Sequence, residues 1–380
     1  MRPSGGHPGQ VKAHPPQSPR TGLVLGAGGV LGGAWLVGAL HAIATETGWD
    51  PGSADRIVGT SAGSVAAALL GCGAPPWLML AHSAGDAPEG LVDAHGHPVP
   101  ADGHWAATEY RLHRGRPPLW PGSWRLALGM LTRHDRYPPA TIVAGWLPRG
   151  MLSTEPLRAT IRRDCTGDWA PHPGLEAVAT DFATGRRVVF GRPGSPRADL
   201  ADAVAASCAI PGFYRPVEIS GRRYVDGGLR SGSNLDVLAG EGLDLVICIN
   251  PTSSPKLLPA RTIGERIVLP LRQAACRRLR AEAASVRDRG AGVVLIEPAA
   301  RDLELMGSNM MARRRRHEVV ESAIASVTAQ LRQPALESVL SSLPAGAPAL
   351  VRRPRGAPDG WPDLRALALE RWGVDVPRAA

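Results

Sequence analysis

Asp55-Arg56-Ile57-Val58-Gly59-Thr60-Ser61-Ala62-Gly63-Ser64-Val65-Ala66-Ala67-Ala68-Leu69-Leu70 is the stretch from which this sequence is best read outward. Its first residues form a short apolar run that fits the end of a strand. Its last residues are helix formers without turn signals. Between them stands G-x-S-x-G, with Ser61 in the middle. The motif needs a strand, a tight turn and a helix around it. Gly59 and Gly63 lack Cβ atoms, so the backbone turns sharply and other chain can come close. Ser61 is thereby expected at the start of a helix, where free N–H groups and the helix dipole favour a developing negative charge.

One unit upstream, Thr21-Gly22-Leu23-Val24-Leu25 reads as a buried strand running into Gly26-Ala27-Gly28-Gly29-Val30-Leu31-Gly32-Gly33 and then an apolar helix from Ala34 to Ile43. A glycine-rich strand-to-helix turn offers several backbone N–H groups to a phosphate or an oxyanion. A dinucleotide fingerprint is out of register, because Leu31 falls where the third glycine belongs. No Gly-Lys-Ser/Thr follows, which removes a Walker loop. An oxyanion hole is the preferred reading. Two consecutive strand-turn-helix units place both turns at one edge of a parallel sheet, where α/β proteins bind ligands. The fold class is therefore α/β.

The chain has 380 residues, 44% of them hydrophobic, with a formal net charge of +9. That composition excludes a mainly disordered chain. No window approaches the ~20 apolar residues of a membrane span. Met1 to Arg20, rich in Pro, Gly and His, is expected to be a disordered arm. A cytoplasmic protein is expected, with peripheral contact at a membrane surface as an addition. Lys12 and Lys256 are the only lysines, and aromatics make up 4% of the chain without interleaving the arginines, so nucleic acid is not an expected partner. Cys72, Cys165, Cys208, Cys248 and Cys276 contain no C-x-x-C and read as free buried thiols. No metal is expected, since the histidines, His95 and His97 among them, form no helical ligand pair. No cofactor is expected either.

From residue 74 to 150 periodicity is poor and Pro, Trp and His accumulate. This is either a cap over the site with Trp and Leu for lipid or a surface insertion with its own small core. Trp124 to Leu131 suits a short helix. Further on, Leu175–Thr180 and Arg186–Phe190 read as paired strands, Leu200–Cys208 as a helix, Leu243–Asn250 and Gly292–Glu297 as apolar strands. Helices are expected over Thr262–Asp288 and Ala312–Leu331. The cluster Arg313 to Arg316 reads as a solvated helix face, with contact to anionic lipid as the other option. A tail over 334–380 carries an amphipathic pattern at Leu364–Trp372.

Asp226-Gly227-Gly228 follows the short strand Arg222–Val225. A carboxylate at a strand end beside two glycines is an unshielded base in a tight turn, or an ordinary Asp-Gly turn. A serine hydroxyl needs both such a base and oxyanion donors to act as a nucleophile. Taken together, Leu23–Leu40, Gly59–Gly63, Ala179-Thr180-Asp181, Ala205–Gly212 and Tyr224–Gly228 resemble the patatin-like phospholipases in order and spacing. The resemblance runs over roughly Leu23 to Asn250, more weakly to Arg316.

That resemblance implies a three-layer fold with a mainly parallel sheet, a hydrolase domain over 21–250 and C-terminal helices and a strand over 251–333 that complete it. It implies Ser61 as nucleophile and Asp226 as proton acceptor, supported by Gly59, Gly63, Gly227 and Gly228. Backbone N–H groups of Gly28, Gly29 and Val30 match the oxyanion hole. The substrate implied is a phospholipid or another acyl-ester lipid. One departure stands out: Gly32 occupies a position where the family usually has Arg or Lys. Two rival readings remain. One is a Ser-His-Asp hydrolase using His317. The other is a lipid-binding or scaffolding protein with an impaired site.

Overall fold

Successive residues of the apolar strands part to opposite faces of one sheet. In β1 (Thr21–Leu25), Leu23 and Leu25 join a core with the first helices, while Val24 joins a second core on the other side. β9 (Leu245–Ile249) divides in the same way, Ile247 and Ile249 to the first core, Val246 and Cys248 to the second. A strand covered on both faces reads as a continuous apolar run rather than an alternation. The structure, a computed structural model, describes residues 18–84, 110–112, 120–133, 144–165, 167–255 and 263–345. The expected N-terminal arm up to residue 17, His95 and His97, and the tail helix at 364–372 lie outside the described residues.

The remaining strands of this sheet are β2 (Arg56–Thr60), β5 (Leu175–Asp181), β6 (Arg187–Phe190), β7 (Val217–Ile219), β8 (Arg222–Asp226) and β10 (Gly292–Ile296). The order is β10-β9-β1-β2-β5-β8-β7, with β6 also on β5. The first five of that order run parallel. β6, β7 and β8 add antiparallel pairings. A two-residue pair, β3 (Arg111–Leu112) with β4 (Leu152–Ser153), stands apart. Helices cover both faces, giving three layers.

On the first face lie α1 (Gly29–Thr47), α2 (Ala62–Gly71) and α3 (Pro76–Ala84). α4 (Trp124–Arg133) follows, then α5 (Glu155–Asp164) and α6 (Leu200–Ser207). α7 (Ile263–Arg287) packs on the second face. α8 (Ala300–Met306) precedes α9 (Arg316–Leu331), which packs against α1 through Val319, Val320 and Ala323. Gly38 allows that approach, since a Cβ there would lie 2.7 Å from the Val320 carbonyl oxygen.

Four expectations change. α1 is long and apolar enough to cross a membrane by length and composition. Its length is instead spent in the core, with Trp35, Leu36, Ala39 and Leu40 fully buried. Within the stretch expected to be irregular, α3 is a regular helix, and Met79 and Leu80 belong to the main core. α9 begins at Arg316 rather than Ala312, because Arg315 adopts φ 69° in a turn that ends the preceding crossing segment. Cys72 and Cys165 are not free thiols: they close α2 and α5 at their C-terminal ends, where their Cα atoms stand 5.6 Å apart, and are joined in a disulfide.

Candidate active site

The register of β5 brings two distant turns together. β6 occupies residues 177–180 along one edge of β5. β2, over 175–178, and β8, over 179–181, therefore share the other edge and point at each other end to end. Thr60 pairs with Val178 and Asp226 with Ala179. The residue after β2 is Ser61, and the last residue of β8 is Asp226. The junction needs bare glycine: a Cβ on Gly227 would sit 2.3 Å from the Val178 carbonyl oxygen. Asn234 bolts it, its amide donating to Thr60 Oγ1 at 3.1 Å and to the Ser231 carbonyl at 2.7 Å.

Ser61 has φ 54° and ψ −122°, a region that costs a non-glycine residue about 1–3 kcal/mol. Its surroundings hold it there. Its amide donates to Ser207 Oγ at 2.9 Å, and that hydroxyl donates to the Val178 carbonyl at 2.6 Å. Its carbonyl accepts from the Ser64 amide at 2.8 Å and from Ser64 Oγ at 2.7 Å. Gly63 lets α2 touch β1, since a Cβ there would stand 2.0 Å from the Leu25 carbonyl oxygen.

Asp226 is buried. Burial pushes its pKa up to about 6, while the facing Ser61 hydroxyl and the Gly228 amide pull in the other direction. The Gly228 amide donates to Asp226 Oδ1 at 2.6 Å. A carboxylate with that pKa is mostly ionised at neutral pH and still accepts a proton readily. Buried beside it, the Cys208 thiol is raised by burial first and by Asp226 next, so it stays protonated.

The glycine turn after β1 is built differently. Ala27 donates to the Gly232 carbonyl at 2.7 Å, Leu31 to the Met310 carbonyl at 3.0 Å and Gly32 to the Gly28 carbonyl at 3.0 Å. The amides of Gly28, Gly29 and Val30, between them, have no acceptor among the described residues. Gly29 has φ 60°, which orients this run. Gly29 and Val30 line a cleft with Ser61, while Gly28, next to them in the chain, is not among its lining residues and packs close to Pro251. The cleft has a cavity volume of about 120 Å³ and is partly open to solvent, and its walls include Val37, Val65, Leu157, Ile210, Tyr214 and Met311.

Arg316 also lines this cleft. The cluster Arg313 to Arg316 is thus not a solvated helix face throughout: the crossing segment turns at Arg315 and sends Arg316 inward. His317, next in sequence, is exposed and does not line the cleft. At Gly32 a Cβ would meet Met310 Cε and Pro251 Cγ at 3.2 Å, so those side chains fill the space a longer residue would need.

Ser61, Asp226, Gly29 and Val30 therefore converge, with Gly28 in support. The sequence assigns no role to Ser207, Asn234 or Met310, and reads Arg316 only as one of a cluster. Ser207 lay inside the Ala205–Gly212 motif without a stated partner, and Arg316 was hidden in an arginine run.

An α/β sheet with a strained serine turn, a buried carboxylate and a row of free amides at one edge is the framework of an esterase-type site. Residues 23–239, more than half of the chain, match the patatin-like phospholipase family, and the protein belongs to that family. Similar proteins include uncharacterized NTE family proteins of Mycobacterium tuberculosis and Mycobacterium bovis, 29% identical over 251 residues, which cover 65% of this chain and 53% of theirs. The chain thus spans about half the length of these relatives. Among solved structures, VipD from Legionella pneumophila aligns with a TM-score of 0.41 at 16% identity, over 84% of this chain and 67% of that one.

Proposed function

We propose that the protein is a lipid acyl hydrolase, a phospholipase A-like esterase that works through a Ser61–Asp226 dyad. The observation that carries this is the end-to-end meeting of β2 and β8 on β5, which sets the hydroxyl of Ser61, a residue lining an apolar cleft, against a buried carboxylate of pKa about 6. Asp226 takes the Ser61 proton as Oγ attacks the ester carbonyl carbon. The amides of Gly28, Gly29 and Val30 hold the oxyanion. As the tetrahedral intermediate collapses, Asp226 returns the proton to the departing alcohol. Water then attacks the acyl-serine with Asp226 again as base. The fatty acid leaves and the proton returns to Ser61. A fluorophosphonate probe should label Ser61 in the folded wild type and fail on Ser61→Ala. Labelling that survives in Ser61→Ala, or ester turnover that survives in Asp226→Asn, would remove the dyad.

The same reading includes peripheral contact with a lipid surface. Trp120, Trp124 and Trp146 pack on one another with ring centroids 6.4 and 6.5 Å apart, yet are 71%, 48% and 50% exposed. Tryptophans grouped at a surface suit the membrane–water boundary. Gly212 packs on Leu147 beside this group, two residues before Tyr214 in the cleft wall. Replacing Trp120 and Trp124 together by Ala should lower sedimentation with phosphatidylglycerol vesicles while leaving hydrolysis of a soluble p-nitrophenyl ester unchanged.

A further inference from the structure

We propose that Arg316 is the phosphate-binding residue of the cleft, holding the phosphate of a glycerophospholipid while an acyl chain lies along the apolar wall and its ester meets Ser61. This rests on the esterase reading above and adds the residue that selects a phosphate-bearing substrate.

Among the described residues lining the cleft, Arg316 is the one that carries a charge. It is half-buried and has no acceptor among the described residues, whereas its neighbours are engaged. Arg315 pairs with Glu318 at 2.9 Å, and Arg313 lies over the Tyr110 ring at 4.3 Å. An unpaired, partly desolvated guanidinium is costly unless an anion completes it. Burial, and after it the nearby Arg313, lowers the Arg316 pKa, so its environment disfavours an uncompensated charge.

Its position is fixed. Met310 accepts from Leu31 in the first turn of α1, and Met311 accepts from the Tyr110 hydroxyl at 2.7 Å. These contacts hold the crossing segment against the glycine turn. Arg316 is also the first residue of α9, a 16-residue helix whose N-terminal amides add to the positive field.

Two anions are conceivable in a lipid-cleaving cleft, a phosphate and the carboxylate of a released fatty acid. That carboxylate forms at Ser61, beside the free amides of Gly28 to Val30, not at Arg316. In a glycerophospholipid the phosphate is set off from the scissile ester by a short glycerol bridge. That arrangement suits a cleft whose lining holds both Ser61 and a guanidinium. The planar fork of arginine binds phosphate oxygens in pairs.

The test compares the wild type with Arg316→Met and Arg316→Lys, all verified as folded by thermal melting. Hydrolysis is measured on palmitoyl-lysophosphatidylglycerol and on monopalmitoylglycerol in mixed micelles. Loss of a charge-assisted contact should lower kcat/KM of Arg316→Met on the phospholipid about 10- to 100-fold. Monopalmitoylglycerol should change by less than about twofold, and Arg316→Lys should recover part of the phospholipid rate. Equal losses on both substrates, or none on either, would overturn the proposal.

A second arm reads binding without turnover, so it decides even if no ester is cleaved and the esterase reading fails. Dodecyl phosphate should bind the wild type at least about tenfold more tightly than Arg316→Met, with dodecyl maltoside indifferent to the change. Equal affinity of the two proteins for dodecyl phosphate would overturn the proposal. So would inorganic phosphate or dodecanoate binding the wild type as tightly as dodecyl phosphate does.

Discussion

The turns after β1 and β2 stand side by side at one sheet edge and are opposites in construction. The first is rich in glycine, and its consecutive amides from Gly28 to Val30 have no acceptor among the described residues. The second has almost every backbone group tied, to Ser207, Ser64 and the sheet, and exposes one strained side chain, Ser61, to the cleft. One turn offers backbone and the other offers a hydroxyl. The contrast teaches where substitution is tolerated. The Ser61 side chain can be exchanged in the second turn with the scaffold intact, whereas a Cβ added at Gly28 or Gly29 in the first collides.

The largest effect should come from the second turn. Ser61→Ala should lower ester hydrolysis by at least about 10³-fold, with melting unchanged within about 1 kcal/mol. A retained rate in the folded variant would break the contrast, because the hydroxyl would then be dispensable.

Asp226, across the junction, sharpens it. Its folded pKa, about 6, lies above the value of an unfolded aspartate. The native state therefore binds more protons between about pH 4 and pH 6, and its stability falls as pH rises through that window, by about 3 kcal/mol in total. Asp226→Asn removes the loss. Denaturant unfolding should find it level with the wild type near pH 4 and more stable by about that amount at pH 8. Wild-type kcat/KM should in turn rise with an apparent pKa of about 6 as the base ionises.

In the first turn, Gly28→Ala would place a Cβ 2.6 Å from Pro251 Cγ and 2.7 Å from the Gly32 Cα. Displacing the amides should cost about 10²-fold in kcat, together with a lowered Tm. An unchanged kcat would show that these amides do not meet the reacting group. The smallest effect tests strain alone. Ser61→Gly should be more stable than Ser61→Ala by about 1 kcal/mol, since glycine takes the observed φ and ψ without penalty.

Much of this was legible in the residues, for identifiable reasons. β1 and β9 are buried central strands, and β10, at the sheet edge, still buries Val294 and Ile296, so apolar runs marked all three. The two turns declared themselves through glycine, because close backbone contacts at Gly59, Gly63 and Gly227 leave no room for a Cβ. What stayed hidden depends on contacts across the chain. The edge shared by β2 and β8 follows from the register of β5, which no local pattern encodes. The Cys72–Cys165 bond joins helix ends 93 residues apart. α1 carries the composition of a membrane helix because it is enclosed by α2, α3 and α9 rather than by lipid. Arg316 looked like its neighbours, and only the turn at Arg315 separates it from them.

The crossing segment carries one more implication. Residues 23–239 hold the serine, the aspartate and the glycine turn, yet Met311 and Arg316 in the cleft wall come more than seventy residues later. During synthesis the chemical groups emerge from the ribosome well before the enclosure that would receive a lipid. A nascent chain halted short of Met310 would leave Ser61 in an unroofed groove, so the cleft is completed only when the segment bearing Met310, Met311 and Arg316 is laid back over the glycine turn.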